Sequence, residues 1–273
     1  MLEVVGLSKE YHGANGSTTA IAELSFSVNE LEFVSVVGPS GCGKTTLLKC
    51  ISGLLEPSSG GSLLRGVKIV SPPEAMALVF QDYARSLLPW LTVSGNVGLP
   101  LRRKHAAAER QRLADEALKA VGLSAFLDHY PWQLSGGMQQ RVAIARALAC
   151  QPRVLLLDEP FASVDAQTRA ELEDLVLSLR SRFDITVLLV THDIDEAVYM
   201  SDRIVVLTKQ PSTIRDTLDV GLPWPRDQLT TKAMPMFSSL RAHVYREIVE
   251  AHRPRHLDAA VADEQMVVRP GVS

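Results

Sequence analysis

The sequence predicts an α/β fold: a mostly parallel sheet covered by helices, with an N-terminal antiparallel β-subdomain and an inserted α-helical subdomain. Three observations carry this. Short apolar runs rich in Val, Ile and Leu alternate with helical patterns, as strands buried on both faces require. The stretch from about 82 to 149 is mostly helical, with no strand as convincing as those around it. The opening segment to about Phe33 has short alternating stretches such as Leu24-Ser25-Phe26-Ser27-Val28, the pattern of an antiparallel sheet.

Taken in order, strands are expected at Phe33–Val37, Ala75–Phe80, Val154–Leu157, Thr186–Val190 and Ile204–Leu207. The helical run from His105 to Val121 places Leu113, Ala117 and Val121 on one stripe, and Gly122 stops it. The run from Ala166 to Arg182 does the same with Leu172, Leu175, Val176 and Leu179. A composition break near Lys209-Gln210-Pro211-Ser212 divides the chain into a domain over 1–210 and a C-terminal extension over 211–273. The extension opens with a proline-stiffened linker, Leu222 to Asp227, and continues as a helix with Phe237, Leu240, Val244 and Ile248 on one face. From about Arg253 the residues are polar or small without period, and disorder is expected.

Bulk properties bound the function. The 273 residues are 46% hydrophobic, enough for a sizeable core. A net charge of −3, from 28 basic and 31 acidic side chains, argues against a nucleic-acid partner held by bulk charge. Cys42, Cys50 and Cys150 show no metal-ligand spacing and favour reduced thiols in the cytosol. No secretory signal is visible at Met1-Leu2-Glu3-Val4-Val5, and the apolar runs are of strand length. Any membrane role is therefore expected to come through a partner.

Chemistry enters with Gly38-Pro39-Ser40-Gly41-Cys42-Gly43-Lys44-Thr45, which fits G-x-x-x-x-G-K-[ST]. An apolar run precedes it and a helical pattern starting at Thr46 follows, the context a phosphate-wrapping loop needs. Glycines let the backbone turn so that amide N–H groups face anionic oxygens, and the helix N-terminus adds positive charge. Lys44 reaches β- and γ-phosphates, and the Thr45 hydroxyl ligates Mg²⁺. The core is thus read as a P-loop NTPase.

A second signal is the apolar strand Val154–Leu157 ending in Asp158 and Glu159. It delivers two carboxylates to one sheet edge, where ligands of such folds sit. Asp158 suits a phosphate-bridging Mg²⁺, and Glu159 suits polarising a water for in-line attack on the γ-phosphate. A third is Leu134-Ser135-Gly136-Gly137-Met138-Gln139-Gln140-Arg141, which opens a helix with exposed backbone, again fit for an anion. Ser135 also suits a plain N-cap. Two phosphate-binding helix starts with one Lys-Thr pair are reconciled if they serve different nucleotides, shared between two copies of the chain.

The phosphate loop, Gln81, Leu-Ser-Gly-Gly, Asp158-Glu159 and His192 occur in one fixed order, and over roughly residues 1–210 the chain resembles the ATP-binding subunit of an ABC transporter. The resemblance implies a head-to-tail homodimer holding two ATP molecules. Each would lie between Lys44 of one chain and Ser135-Gly136-Gly137 of the other. It implies that Gln81 senses the γ-phosphate and Mg²⁺, that Asp165 bridges the dimer, and that His192 holds the attacking water with Glu159. It matches Tyr11 to an aromatic that stacks on adenine. From the residues alone, Tyr11 equally suits a strand edge, Gln81 an ordinary loop amide, Asp165 a helix N-cap, and Asp193 with Glu196 a capping pair. Val164 stands where the family often has Leu, and Trp132 is uncommon before Leu-Ser-Gly-Gly.

The run Val79 to Val93, and the tail from Pro223 onward, are similar to importers of nitrate, sulfonates and taurine. That implies integral-membrane permease subunits and, indirectly, a solute-binding protein, with the chain at the cytoplasmic face of the membrane. Leu87, Leu88, Trp90 and Leu91 would receive a permease helix, or else fill the helical subdomain. A soluble ABC-type ATPase of assembly or repair is the alternative. The span from Lys44 to Asp158 is too short for the long coiled coil of chromosome-type members. Lastly, Cys42, beside Lys44 and a helix start, is expected to have a lowered thiol pKa and to be alkylatable, with MgATP protecting it.

Overall fold

In the computed structural model, which describes residues 1–13, 16–82 and 86–251, two sheets divide the strands. The first is antiparallel, in the order β2-β1-β4-β5, built from β1 (Leu2–Gly13), β2 (Gly16–Val28), β4 (Ser59–Leu64) and β5 (Val67–Lys68). The alternation read in the sequence is one end of a longer element. β2 runs 13 residues, and inward residues such as Ile21, Leu24 and Val28 are fully buried.

The second sheet has the order β10-β9-β3-β8-β7-β6. Its strands are β3 (Phe33–Val37), β6 (Met76–Val79), β7 (Val154–Asp158), β8 (Thr186–Val190), β9 (Arg203–Leu207) and β10 (Ile214–Asp219). The neighbours β9, β3, β8, β7 and β6 pair in parallel, and β10 adds antiparallel to β9. β3, β7 and β8 are buried at every position, the consequence of layers on both faces.

On one face lies α1 (Lys44–Ile51), packed on β4 and β7; Leu47, Leu48 and Ile51 join Val34, Val36 and Leu156 in one apolar cluster with the N-terminal sheet. The other face holds a larger cluster. There α2 (Val93–Val97) and α3 (Ala107–Ala120) pack on α4 (Gly136–Ala149), forming the expected helical insert. Leu113, Ala117 and Val121 are buried as their spacing required. Leu87 also belongs to this core, at 3% exposure, whereas Trp90 is 70% exposed. Tyr83, Ala84 and Arg85 of the importer-like run lie outside the described residues.

The same face carries α5 (Ala166–Phe183), α6 (Ile194–Met200) and, from the extension, α7 (Pro235–Glu250). The composition break at 209–212 is no flexible linker. Ser212 is fully buried and exchanges backbone bonds with β2: Ala22 N–H donates to Ser212 O at 2.9 Å and Ser212 N–H to Ala20 O at 3.2 Å. β10 then joins the main sheet, so the sheet does not end at the boundary read near residue 210. Phe237 and Val244 of α7 are buried in the core, while His243 contacts Asp216 of β10 at 2.9 Å and Arg215 donates to Glu247 and Glu250. The linker's Trp224 has the Arg180 and Arg226 guanidiniums 5.0 and 4.2 Å from its ring centroid, and donates from Nε1 to Asp202. The expected disorder beyond Arg253 lies outside the described residues. No helix among the described residues is long and apolar enough to cross a membrane.

Candidate functional site

Four adjacent parallel strands, β3, β8, β7 and β6, end at one edge of the sheet, and each hands the chain to a residue singled out above. After β3 comes the loop Gly38–Gly43; after β8, Thr191 and His192; at the end of β7, Asp158 and Glu159; shortly after β6, Gln81. This is the edge at which α/β sheets bind ligands. Together the 40–46 stretch, Gln81, Glu159 and His192 line a cleft of about 440 Å³.

The loop owes its shape to its glycines. Gly41 and Gly43 have φ of +76° and +93°, in the left-handed region. Gly43 also passes under Ala20 O of β2, where an added Cβ would come within 3.3 Å. The Lys44 side chain, 5% exposed, donates to Gly38 O and Pro39 O at 2.9 and 3.3 Å. Its Nζ lies 4.0 Å from Glu159 Oε1.

Glu159 is the hub. Its backbone has φ +43°, strained for an L-residue, and its N–H is tied to Val190 O of β8 at 2.8 Å. Its Oε2 accepts from Gln81 Nε2 at 3.0 Å and contacts His192 Nδ1 at 3.0 Å. The Thr45 hydroxyl donates to Asp158 Oδ1 at 3.1 Å. Burial, assisted by neighbouring Glu159, pushes the Asp158 carboxyl above the usual carboxylate range. Two oxygen donors this close, in a mostly buried acidic spot, suit a hard divalent cation such as Mg²⁺.

Tyr11 is 44% exposed, and its hydroxyl shares a 3.3 Å hydrogen bond with Thr46. It is no buried core residue; it stands beside the start of α1. Ser135 caps α4, its Oγ accepting from Met138 N–H at 3.3 Å. Ser135 and Gly136 are exposed, while Gly137 is buried against α5, where a Cβ would meet Thr168 Cγ2 at 2.4 Å. None of these three lines the cleft. Asp165 is exposed and caps α5, accepting from Gln167 and Thr168 N–H at 3.1 and 3.0 Å; the hydrogen bond with Thr168 holds its carboxyl below the usual range.

Cys42 departs from expectation. It is fully buried, and burial raises its thiol pKa although Lys44 pulls the other way. The helix start and ammonium do not compensate for lost hydration. Iodoacetamide at neutral pH is expected to leave Cys42 unlabelled until the protein unfolds, with or without nucleotide; peptide mass mapping checks this.

The spacing of Asp193 and Glu196 suits a capping pair, and half of that pattern is present. Asp193 Oδ1 accepts from Asp195 and Glu196 N–H. Glu196, however, is 3% exposed and accepts from the Thr191 hydroxyl at 2.6 Å instead of reaching back. Arg169, which no sequence signal marked, donates to Asp193 Oδ2 at 3.1 Å. Burial pushes the Glu196 carboxyl up to about 7, with Asp193 and Glu173 adding to it and Thr191 and Arg169 opposing. A carboxyl raised in the folded state stabilises fully below its unfolded pKa, and that contribution fades as pH rises through about 7. Urea unfolding should show up to ~3 kcal/mol lost between about pH 4.5 and 7 from this group, and Glu196→Gln should remove that part of the slope.

Comparison with known proteins identifies the family. The family model described as "ABC transporter" matches residues 21–162. The nitrate transport protein NasD of Klebsiella oxytoca is 41% identical over 255 residues, covering 92% of this chain and 97% of that protein. The bicarbonate transport ATP-binding protein CmpC of Synechocystis sp. is 43% identical over 248 residues, covering 89% of this chain and 37% of that protein. Among solved structures, the dimeric ATP-binding cassette MJ0796, in a post-hydrolysis state with ADP and Pi, has TM-score 0.71 and 35% identity over 81% of this chain and 99% of that one. A glycine-rich loop with its lysine, paired carboxylates, a Gln and a His at one sheet edge, on a fold shared with such cassettes, leave one assignment: the chain belongs to the ABC transporter family, as one of its ATP-hydrolysing subunits.

Proposed function

We propose that two copies of this chain close on two ATP molecules and power import of a small anion, of the nitrate, sulfonate or bicarbonate class, through separate membrane-embedded permease subunits. The observation that carries the reading is the composition of the cleft. Lys44, Gln81, Glu159 and His192 converge in it, while Ser135, Gly136 and Gly137, equally fit for phosphate, stand outside it on another helix. A head-to-tail pair brings the second set over the first. The names of NasD and CmpC support the cargo class. Exposed Trp90, with half-buried Leu88 and Leu91 beside it, is the surface offered to the permease.

In this reading the triphosphate lies along the 38–45 loop, and Lys44 exchanges the Gly38 and Pro39 carbonyls for β- and γ-phosphate oxygens. Thr45, Asp158 and Gln81 hold Mg²⁺, which neutralises phosphate charge when bound. Glu159 accepts a proton from a water whose oxygen attacks the γ-phosphorus, and the bond from that phosphorus to the β–γ bridging oxygen breaks, giving ADP and phosphate. His192 and Gln81 fix the carboxylate. Asp165 meets the opposite subunit, and Tyr11 meets the adenine. Loss of the bridging γ-phosphate frees the pair to reopen.

Affinity purification of the tagged chain from native membranes tests this. Recovery of a multi-span membrane protein with it, and of a solute-binding protein with that assembly, is the expected result. Recovery as a soluble ATPase with no membrane partner would overturn the transport reading in favour of an assembly or repair role.

A further inference from the structure

Asp165, Thr168 and Arg169 follow one another along the first turns of α5, and each faces a different functional element. Asp165 caps the helix at an exposed position; Thr168 abuts Gly137 of the second anion-binding turn; Arg169 leaves the helix for the loop that carries His192. Around His192 that loop is pinned at both flanking residues. Asp193 N–H donates to Thr191 Oγ1 at 3.0 Å, the Thr191 hydroxyl donates to Glu196, and Arg169 holds Asp193 Oδ2 at 3.1 Å. Between those two fixed points His192, with its side chain 55% exposed, reaches Glu159 at 3.0 Å.

We propose that Arg169 is a positioning residue for ATP hydrolysis: acting through Asp193, it sets His192 against Glu159 and keys that setting to the position of α5. The inference rests on the roles given to Glu159 and His192 above. Guanidinium geometry makes the link rigid and directional, which a lysine would only partly reproduce. The link is also incomplete. Arg169 Nε is buried without a hydrogen-bond partner and lies 3.8 Å from Glu196 Oε1, beyond bonding reach. A small movement of α5 toward α6 completes that second bond. Because α5 begins against Gly137 and at Asp165, engagement of either by an opposing subunit reaches His192 by this route. One anion turn is thereby tied to the chemistry of the other nucleotide.

The test is steady-state ATP hydrolysis by the full-length protein, comparing Arg169→Met, Arg169→Lys, Asp193→Asn and the Arg169→Met/Asp193→Asn double variant. Asp193→Asn keeps an oxygen to cap α6 and removes the charge that faces Arg169, so helix and fold are retained. The expected result is a kcat lower by about 10- to 100-fold in Arg169→Met and Asp193→Asn, the scale of a slightly misplaced catalytic group. KM for ATP and Tm stay near wild type, Arg169→Lys recovers part of the loss, and the double variant is no worse than the more damaged single. Losses that multiply in the double variant, or a kcat that falls only in step with Tm, would overturn the inference. So would full kcat in both singles beside an inert Glu159→Gln, and that outcome leaves the ATPase reading standing. A wild-type protein that releases no phosphate from ATP brings down the reading and this inference with it.

Discussion

Glu159→Gln lowers ATP turnover by about 10²–10⁴-fold, the worth of a positioned general base, and leaves nucleotide binding in place. The amide is nearly isosteric, so the left-handed backbone at φ +43° and the bond from Glu159 N–H to Val190 O are undisturbed. What disappears is the carboxylate on which Gln81 and His192 converge, 17% exposed and 4.0 Å from Lys44. Binding survives because the phosphate loop is untouched. The ATP-bound dimer should then persist long enough to isolate. Phosphate release, with nucleotide titration and size-exclusion chromatography on the same preparation, separates the two effects. Turnover at the wild-type rate would remove Glu159 from the chemistry.

Lys44→Ala acts one step earlier, on binding itself. The ammonium is almost wholly buried at the loop, held by two of its carbonyls, and in the proposed reading it exchanges them for phosphate oxygens. Charged hydrogen bonds contribute about 1.5–3 kcal/mol each. Losing bonds to two phosphate groups weakens ATP affinity by about 10²-fold or more. A fluorescent-nucleotide titration reads this directly, and affinity within a few-fold of wild type would contradict the placement of Lys44 on the phosphates. The contrast between the variants is itself informative: one binds and does not turn over, the other scarcely binds.

Much of the site was legible because its residues follow strands. A run such as Val154–Leu157 announces a buried parallel strand, and what comes next in the chain must then lie at the ligand edge. The 38–45 loop was carried by its own glycine-lysine motif, and Gln81 and His192 by the family resemblance; that each also follows a strand agrees with the same edge. Periodicity likewise gave α3 and α5 to within two residues at each end. Arg169 escaped because its partner is 24 residues away on another element, and nothing local distinguishes it from the other arginines of α5. Cys42 differs from its expectation for a related reason. Neighbours in sequence supplied its positive charge, but burial, set by distant residues, decided the direction of its shift. Leu87 and Trp90 looked alike as apolar residues of one run, and only packing tells which of them faces outward.

The seam at Ser212 and the strand that follows it matter for anyone who cuts this gene. Excision at residue 210, where composition invites a scalpel, would peel β10 from β9 and bare a row of unpaired amides and carbonyls along an apolar strand. Such a rim recruits the next molecule instead of water. Chimeras that graft this motor onto another system should carry the polypeptide through Glu250, so that both the closing strand and the helix that clasps it travel with the engine.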